Sequence, residues 1–179
     1  ENLLKKLLSG EIDFALCSDI DAMVSGVNDQ ELFNEELLLA VAEASPLAKK
    51  RSLTLTDLKH APLLVLQEGH CLKDDTIRQC RAHDFKPRHG LRCESLETMI
   101  GLIEADLGIA FIPKMAVKHH SHRAVKFKRL KGTTFSRSIR LVSLADKEIT
   151  HLDRHLVKAI ISQKLNKLLV TTHNRGLLR

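Results

Sequence analysis

The sequence has 179 residues, of which 44% are hydrophobic and 28% are charged, so it predicts a globular protein rather than a disordered or fibrous one. No run approaches the roughly 20 apolar residues that a membrane-spanning helix requires, and the first six residues lack the basic-then-apolar order of a signal peptide. We therefore expect a cytoplasmic protein with no membrane partner.

The charge and the cysteines narrow the class further. The net charge is +6, but the charges are scattered and aromatic residues make up only 3%, with no Trp or Tyr to stack on bases. We therefore expect no direct DNA binding by this segment.

Four cysteines, at 17, 71, 80 and 93, are too few and too irregularly spaced for a secreted disulfide framework, and a reducing compartment keeps them as thiols. Any disulfide in this chain would be a regulated event.

The predicted elements alternate between helices and strands along the chain. A Leu-rich helix opens the sequence and ends at Gly10, and a polar loop covers 19–30. Strands are predicted at 12–17, 37–41, 62–66, 90–93, 109–112, 125–130 and 138–144, and helices at 53–58, 71–82 and 96–107. A capping box at Thr150 predicts a last long helix with Leu156 facing inward. The alternation indicates an α/β fold with mainly parallel sheets, and the pattern alone locates no domain boundary.

The segment Gly69-His70-Cys71 lies where a predicted strand ends and a predicted helix begins. Backbone N–H groups and the positive end of the helix dipole stabilise a thiolate at such a position, and a protonated His70 would add to the effect. A thiolate attacks peroxide and becomes a sulfenic acid. The alternative interpretation is that Cys71 is a small hydrophobic residue that packs at the helix end.

Cys80 follows Cys71 by nine residues, in phase with Leu72 and Thr76, on the side of the predicted helix that should face the core. In a continuous helix nine residues span ~13.5 Å and turn about 180°. A disulfide requires Cα atoms roughly 4.4 to 6.8 Å apart. The two thiols therefore cannot join while the helix is intact, so a disulfide between them would require the helix to unwind.

Other chemistries have weaker support in the sequence. His70, Cys71, Cys80 and His83 could bind zinc, but structural zinc sites usually pair cysteines two to four residues apart. The His-rich run 118–123 is typical of a solvated loop, and Cys17 and Cys93 are typical of packing residues. We expect no metal and no cofactor. No catalytic motif with its expected context is present, so we also expect no enzymatic activity.

The run Glu68-Gly69-His70-Cys71-Leu72-Lys73-Asp74, followed after five residues by Cys80, resembles the redox loop of the OxyR-type hydrogen peroxide sensors, a branch of the LysR-type transcriptional regulators. Ser95-Leu96-Glu97-Thr98, the strand from Gly108 to Pro113 and the opening Leu-rich helix resemble the same family. The resemblance covers nearly the whole chain and weakens after about Glu148.

The resemblance implies a periplasmic-binding-protein-like regulatory module of two Rossmann-like subdomains joined by a two-crossover hinge. The first subdomain would hold 1–35 and 138–179, and the second would hold 36–137 with the redox loop. Cys71 corresponds to the peroxidatic cysteine and Cys80 to the resolving cysteine, which would pair in a disulfide. His70, Asp74 and Arg137 correspond to residues around the peroxide and the reactive sulfur.

The resemblance also implies partners. They are hydrogen peroxide, a second copy of the chain in a homodimer or homotetramer, RNA polymerase, and a thiol reductant such as glutaredoxin. Promoter DNA would be bound through a winged helix-turn-helix that precedes Glu1 in the intact protein. A first regulatory strand and a threonine that helps to seat peroxide would also precede Glu1. Two alternatives stay open at this point: a LysR-type effector domain that binds a small metabolite between its subdomains, and a thiol peroxidase.

Overall fold

The computed structural model describes residues 2–18, 25–68, 71–146, 150–151 and 154–159. The strands are β1 (Phe14–Ser18), β2 (Val27–Ala42), β3 (Pro62–Leu66), β4 (Arg88–Cys93), β5 (Ala110–Pro113), β6 (Val125–Lys128) and β7 (Phe135–Leu144). The α-helices are α1 (Asn2–Leu8), α2 (Pro46–Lys49), α3 (Cys71–Ala82), α4 (Leu96–Glu104) and α5 (Lys114–Val117), and short 3-10 helices cover Leu55–Leu58 and Lys118–His120. None of the helices in these ranges is long and apolar enough to cross a membrane.

Contacts between Cα atoms divide the chain into two compact units. One unit is formed by the segments 1–33 and 139–179, and the other by Asn34–Ser138. Strands β2 and β7 each contribute residues to both units, because β2 runs from the first unit into the second and β7 returns.

The first unit is built on α1, β1 and parts of the two long strands. Leu7 of α1 is fully buried. The helix ends before Gly10, whose φ of +74° is a left-handed conformation that glycine adopts without steric cost. β1 pairs antiparallel with β7, with Leu16 opposite Leu141. Arg140 of β7 donates to Asp29 and lies 3.4 Å from Glu31, so charged residues of β2 are matched by a cation from β7.

The second unit contains most of the buried hydrophobic core. In this unit β2 pairs antiparallel with β5 and with β6, and β3 and β4 form a separate parallel two-stranded sheet. Helix α4 begins at the N-cap Ser95, whose hydroxyl accepts from the Thr98 N–H at 3.1 Å, and buries Met99, Ile100 and Ile103. These side chains pack in one cluster with residues of β3 and α3.

Several sequence-based expectations were wrong in detail. The predicted loop at 19–30 is too long, because β2 begins at Val27, and its polar first half is stabilised by Arg140, a residue far away in the sequence. The sheets are not mainly parallel, since β1–β7, β2–β5 and β2–β6 are antiparallel. Helix α4 ends at Glu104, and Leu107 and Leu156, both expected to face inward, are exposed.

Candidate redox site

Helix α3 carries the two candidate cysteines and is continuous from Cys71 to Ala82, as predicted. It follows the buried strand β3 and ends in a turn where Asp84 takes a left-handed conformation. The Phe85 N–H then donates to the Cys80 carbonyl at 2.8 Å, which closes the last turn. Leu72, Asp75, Thr76 and Cys80 form the buried face of the helix.

The two cysteines of α3 have different environments. Cys71, in the first turn of the helix, is partly exposed, whereas Cys80 is 4% exposed and lies in the apolar core. Burial raises the pKa of the Cys80 thiol to about 11, because the thiolate loses its hydration there. At neutral pH Cys80 is therefore a thiol, and Cys71 is the more accessible sulfur of the two.

A buried ionic cluster lies beside α3. Arg137 of β7 donates from Nε and from Nη2 to one oxygen of Glu35 of β2, at 3.0 and 2.8 Å. The Nη1 atom of the same guanidinium lies 3.9 Å from Oδ2 of Asp75, and Arg78 donates to Oδ1 of Asp75 at 2.9 Å. The side chains of Glu35 and Asp75 are 2% and 1% exposed. Burial of two carboxylates is compensated by the two arginines.

Two further contacts attach α3 to the start of β7. The amide of Gln79 donates to the Ser136 carbonyl at 2.8 Å, and the His83 ring stacks on Phe135 with centroids 5.4 Å apart. Phe135 itself stacks on Phe111 in the core. The half of α3 that carries Cys80 is therefore held by polar and aromatic contacts as well as by apolar burial.

The structure places Arg137, one of the predicted site residues, beside the helix that carries both candidate cysteines. Arg137 contacts this helix at Asp75, which lies four residues after Cys71. Asp74 is exposed on that helix. His70 lies outside the described residues. Whether His70, Asp74 and Arg137 act on the sulfur of Cys71 stays a prediction.

Sequence reasoning missed Glu35 and Asp75. Both occur in polar runs that resemble solvent-exposed segments. Glu35 and its partner Arg137 are separated by 102 residues, and Asp75 combines a local hydrogen bond from Arg78 with the more distant Arg137. The available signal was the phase of α3, because Asp75 follows Leu72 by three residues, on the side predicted to face the core.

The alternative metal sites gain no support from the described residues, among which no group of three or more His, Cys, Asp or Glu side chains could hold a metal ion. We expected the His-rich run 118–123 to be a solvated loop. This was wrong for His120, which is buried with Nδ1 3.3 Å from Glu97. Cys93 is buried, which agrees with a packing role, whereas Cys17 is only partly buried.

The model of the family described as "LysR substrate binding domain" matches residues 1–164 of the chain. The chain belongs to this family. Its fold is therefore the periplasmic-binding-protein-like α/β fold of LysR regulatory domains, as the sequence predicted.

Named relatives of the chain include peroxide-responsive regulators. The chain is 32% identical over 141 residues to the hydrogen peroxide-inducible genes activator of Haemophilus influenzae, an alignment that covers 78% of this chain and 46% of that protein. It is 34% identical over 118 residues to the transcriptional dual regulator OxyR of Escherichia coli, covering 64% and 37%. The chain thus spans less than half the length of these relatives.

Solved structures share the fold. An OxyR cysteine mutant of Corynebacterium glutamicum, described as bound to hydrogen peroxide, superposes with a TM-score of 0.82 at 24% identity over 99% of this chain and 56% of that one. The effector-binding domain of QuiR in complex with shikimate superposes with a TM-score of 0.80 at 24% identity over 92% and 78%. Similarity at this level of identity establishes the fold, which both a peroxide sensor and a metabolite-binding domain possess.

Proposed function

We propose that this chain is the redox-sensing regulatory domain of a LysR-type transcriptional regulator, in which hydrogen peroxide oxidises Cys71 and a disulfide with Cys80 then remodels α3. The observation that carries the proposal is the placement of the two thiols in one helix, with Cys71 accessible in the first turn and Cys80 buried nine residues later. The named relatives are activators of peroxide-inducible genes, which agrees with this chemistry.

The proposed reaction has two steps. The Cys71 thiolate attacks one oxygen of the peroxide, an S–O bond forms, the O–O bond breaks, and the departing hydroxide takes up a proton to become water. The sulfur of Cys80 then attacks the sulfenic sulfur of Cys71, an S–S bond forms, the S–O bond breaks, and a second water leaves. In total two thiols and one peroxide give one disulfide and two waters.

The second step requires a change of structure. Cys71 and Cys80 begin and nearly end the same helix, so their Cα atoms are separated by about 13.5 Å along its axis. This exceeds the Cα separation of a disulfide by about a factor of two. The helix must therefore unwind between the two cysteines, and the unwound state is the signal that the domain transmits.

In this proposal His70, Asp74 and Arg137 set the environment of the sulfur and the peroxide. Arg137 would favour the thiolate and stabilise the charge on the departing oxygen. The division into subdomains 1–35 with 138–179 and 36–137, the homodimer or homotetramer, the cytoplasmic location and the thiol reductant belong to the same proposal. Promoter DNA and RNA polymerase would be partners of the intact regulator, with DNA held by its winged helix-turn-helix.

A second candidate function is the binding of a small metabolite, since solved domains with this fold are described with shikimate and with 2-PG. Such a domain would keep Cys71 and Cys80 reduced and would respond normally when Cys80 is replaced. A thiol peroxidase, in contrast, would consume peroxide continuously in the presence of a reductant.

Mass spectrometry of the thiols before and after one equivalent of peroxide separates these functions. The switch predicts one stoichiometric Cys71–Cys80 linkage, the metabolite domain predicts none, and the peroxidase predicts sustained turnover. Hydrogen exchange on the reduced and oxidised chain then tests the remodelling of α3. A Cys71–Cys80 linkage that forms while amides 72–80 keep their protection would contradict the proposed mechanism.

A further inference from the structure

Asp75 lies between the two cysteines of α3, and its surroundings are unusual for a carboxylate inside a helix. Its side chain is 1% exposed, whereas the neighbouring Asp74 is exposed. A buried carboxylate is costly unless charged or polar groups compensate for its lost hydration. The burial of Asp75 therefore requires nearby groups that compensate for the lost hydration of its carboxylate.

Arg137 connects Asp75 to strand β7. Its Nη1 atom lies 3.9 Å from Asp75, while its Nε and Nη2 atoms donate to Glu35. Glu35 also accepts from the Met115 N–H at 3.1 Å, so its position is fixed from a second direction. One guanidinium thus lies between two buried carboxylates. It donates two hydrogen bonds to Glu35 of β2 and makes a longer ion pair, without a hydrogen bond, with Asp75 of α3.

The strands in this cluster are the two that contribute residues to both units. Glu35 lies two residues from the unit boundary in β2, and Arg137 lies two residues from it in β7. The Asp75–Arg137 contact is therefore an attachment between the helix that holds both cysteines and the strands that lead out of its unit.

We propose that Asp75 is a positioning residue that tethers α3 to Arg137 and thereby stabilises the helical, reduced state. The consequence for switching rests on the proposed function: unwinding of α3 carries Asp75 away from Arg137 and into water, and Arg137 is left with Glu35 alone. The tether opposes disulfide formation, and its loss reports the state of α3 to β2 and β7.

The first test measures the thiol–disulfide equilibrium of the 179-residue chain in glutathione buffers. Two thiols of the chain and one glutathione disulfide exchange to give one Cys71–Cys80 disulfide and two glutathione thiols. Asp75→Asn is expected to shift this equilibrium toward the protein disulfide by about tenfold, which corresponds to about 1.4 kcal/mol. Asp84→Asn is the matched control, because Asp84 is exposed and asparagine tolerates its left-handed conformation. Equal shifts in the two variants would overturn the proposal.

The second test does not depend on the disulfide, so it separates failure of the tether from failure of the proposed function. In the fully reduced chain, Asp75→Asn is expected to lower the hydrogen-exchange protection of amides 76–80 by about tenfold, whereas Asp84→Asn leaves it unchanged. Unchanged protection in Asp75→Asn overturns the tether even if the disulfide forms normally. Reduced protection supports the tether even if the disulfide never forms.

Two further measurements cover the case in which Asp75→Asn does not fold. Arg78→Gln removes the more exposed partner of Asp75 and leaves the contact with Arg137, so the redox equilibrium is expected to shift less than threefold. The Nε–H resonance of Arg137, assigned with Arg137→Lys, is expected to move when the wild-type chain is oxidised and when α3 is disrupted in its interior by Ile77→Pro. A large shift in Arg78→Gln, or an Arg137 resonance that stays in place when α3 unwinds, refutes the proposal.

Discussion

Cys71 and Cys80 lie in one uninterrupted helix, nine residues apart, with the first sulfur partly exposed and the second in the core. This arrangement makes the two cysteines unequal in accessibility, although they are chemically identical. Because the two cysteines differ in burial, we expect the replacement of each one to have a different effect.

We expect Cys71→Ser to abolish the response to one equivalent of peroxide. We expect Cys80→Ser to stop the reaction at a sulfenic acid on Cys71, because the resolving sulfur is missing. A dimedone adduct on Cys71, read by peptide mass spectrometry, checks the second variant. Cys93→Ser is the matched control, since Cys93 is also buried, and it should still form the Cys71–Cys80 linkage. Equal behaviour of the three variants would mean that these cysteines are packing residues.

Arg137→Ala is expected to slow oxidation of Cys71 and also to lower the free energy of unfolding. Removal of the guanidinium leaves Glu35 buried without its main compensating charge, so the free energy of unfolding should fall by about 3–5 kcal/mol. Urea denaturation measures this loss, and stopped-flow mixing with peroxide measures the rate. Glu35→Gln in the Arg137→Ala background should recover part of the stability. If the oxidation rate of the double variant equals that of the wild type, Arg137 does not act on Cys71.

The alkaline side of the stability profile should depend on Cys80. Burial raises the pKa of Cys80 in the folded chain to about 11, above its unfolded value near 9.0, so the folded state holds this proton more tightly. The stabilising contribution is therefore complete below about pH 9 and is lost as the pH rises toward 11. Urea midpoints between pH 8 and pH 11 should fall less steeply in Cys80→Ala than in the wild type. Parallel profiles would show that Cys80 is not titrating in this window.

Gly90 and Gly101 should respond in opposite ways to alanine. A Cβ atom at Gly90 in β4 would lie 2.3 Å from the Leu63 carbonyl oxygen in β3, so Gly90→Ala must displace the backbone of one strand and should cost more than 1 kcal/mol. At Gly101 in α4 the nearest atom is the Arg123 guanidinium at 3.7 Å, and Gly101→Ala should be neutral or stabilise the chain by up to about 1 kcal/mol. Thermal unfolding of the two variants makes the comparison.

Elements with local signals were predictable from the sequence. Helix α3 and strand β3 have the bounds that the hydrophobic phase indicated, and Ser95 caps α4 as its position before the apolar run predicted. The first half of β2 was not predictable, because its charged residues are neutralised by Arg140, more than a hundred residues away. The burial of Asp75 was also missed, because only Arg78, one of the two arginines beside it, is nearby in the sequence, while Arg137 comes from β7. Ionic partners that meet only through the fold leave no local pattern.

The parallel pair of β3 and β4 also bears on the solubility of the protein. Exposed backbone at a sheet edge pairs readily with strands of other molecules, and apolar side chains there increase the tendency to aggregate. Strand β4 exposes Leu91, and Arg88 and Arg92, also exposed, lie on either side of it. Two like charges repel an identical strand that approaches in register, so we expect these arginines to oppose intermolecular sheet growth. The colloidal stability of the chain should therefore depend on residues that are not among its candidate redox residues.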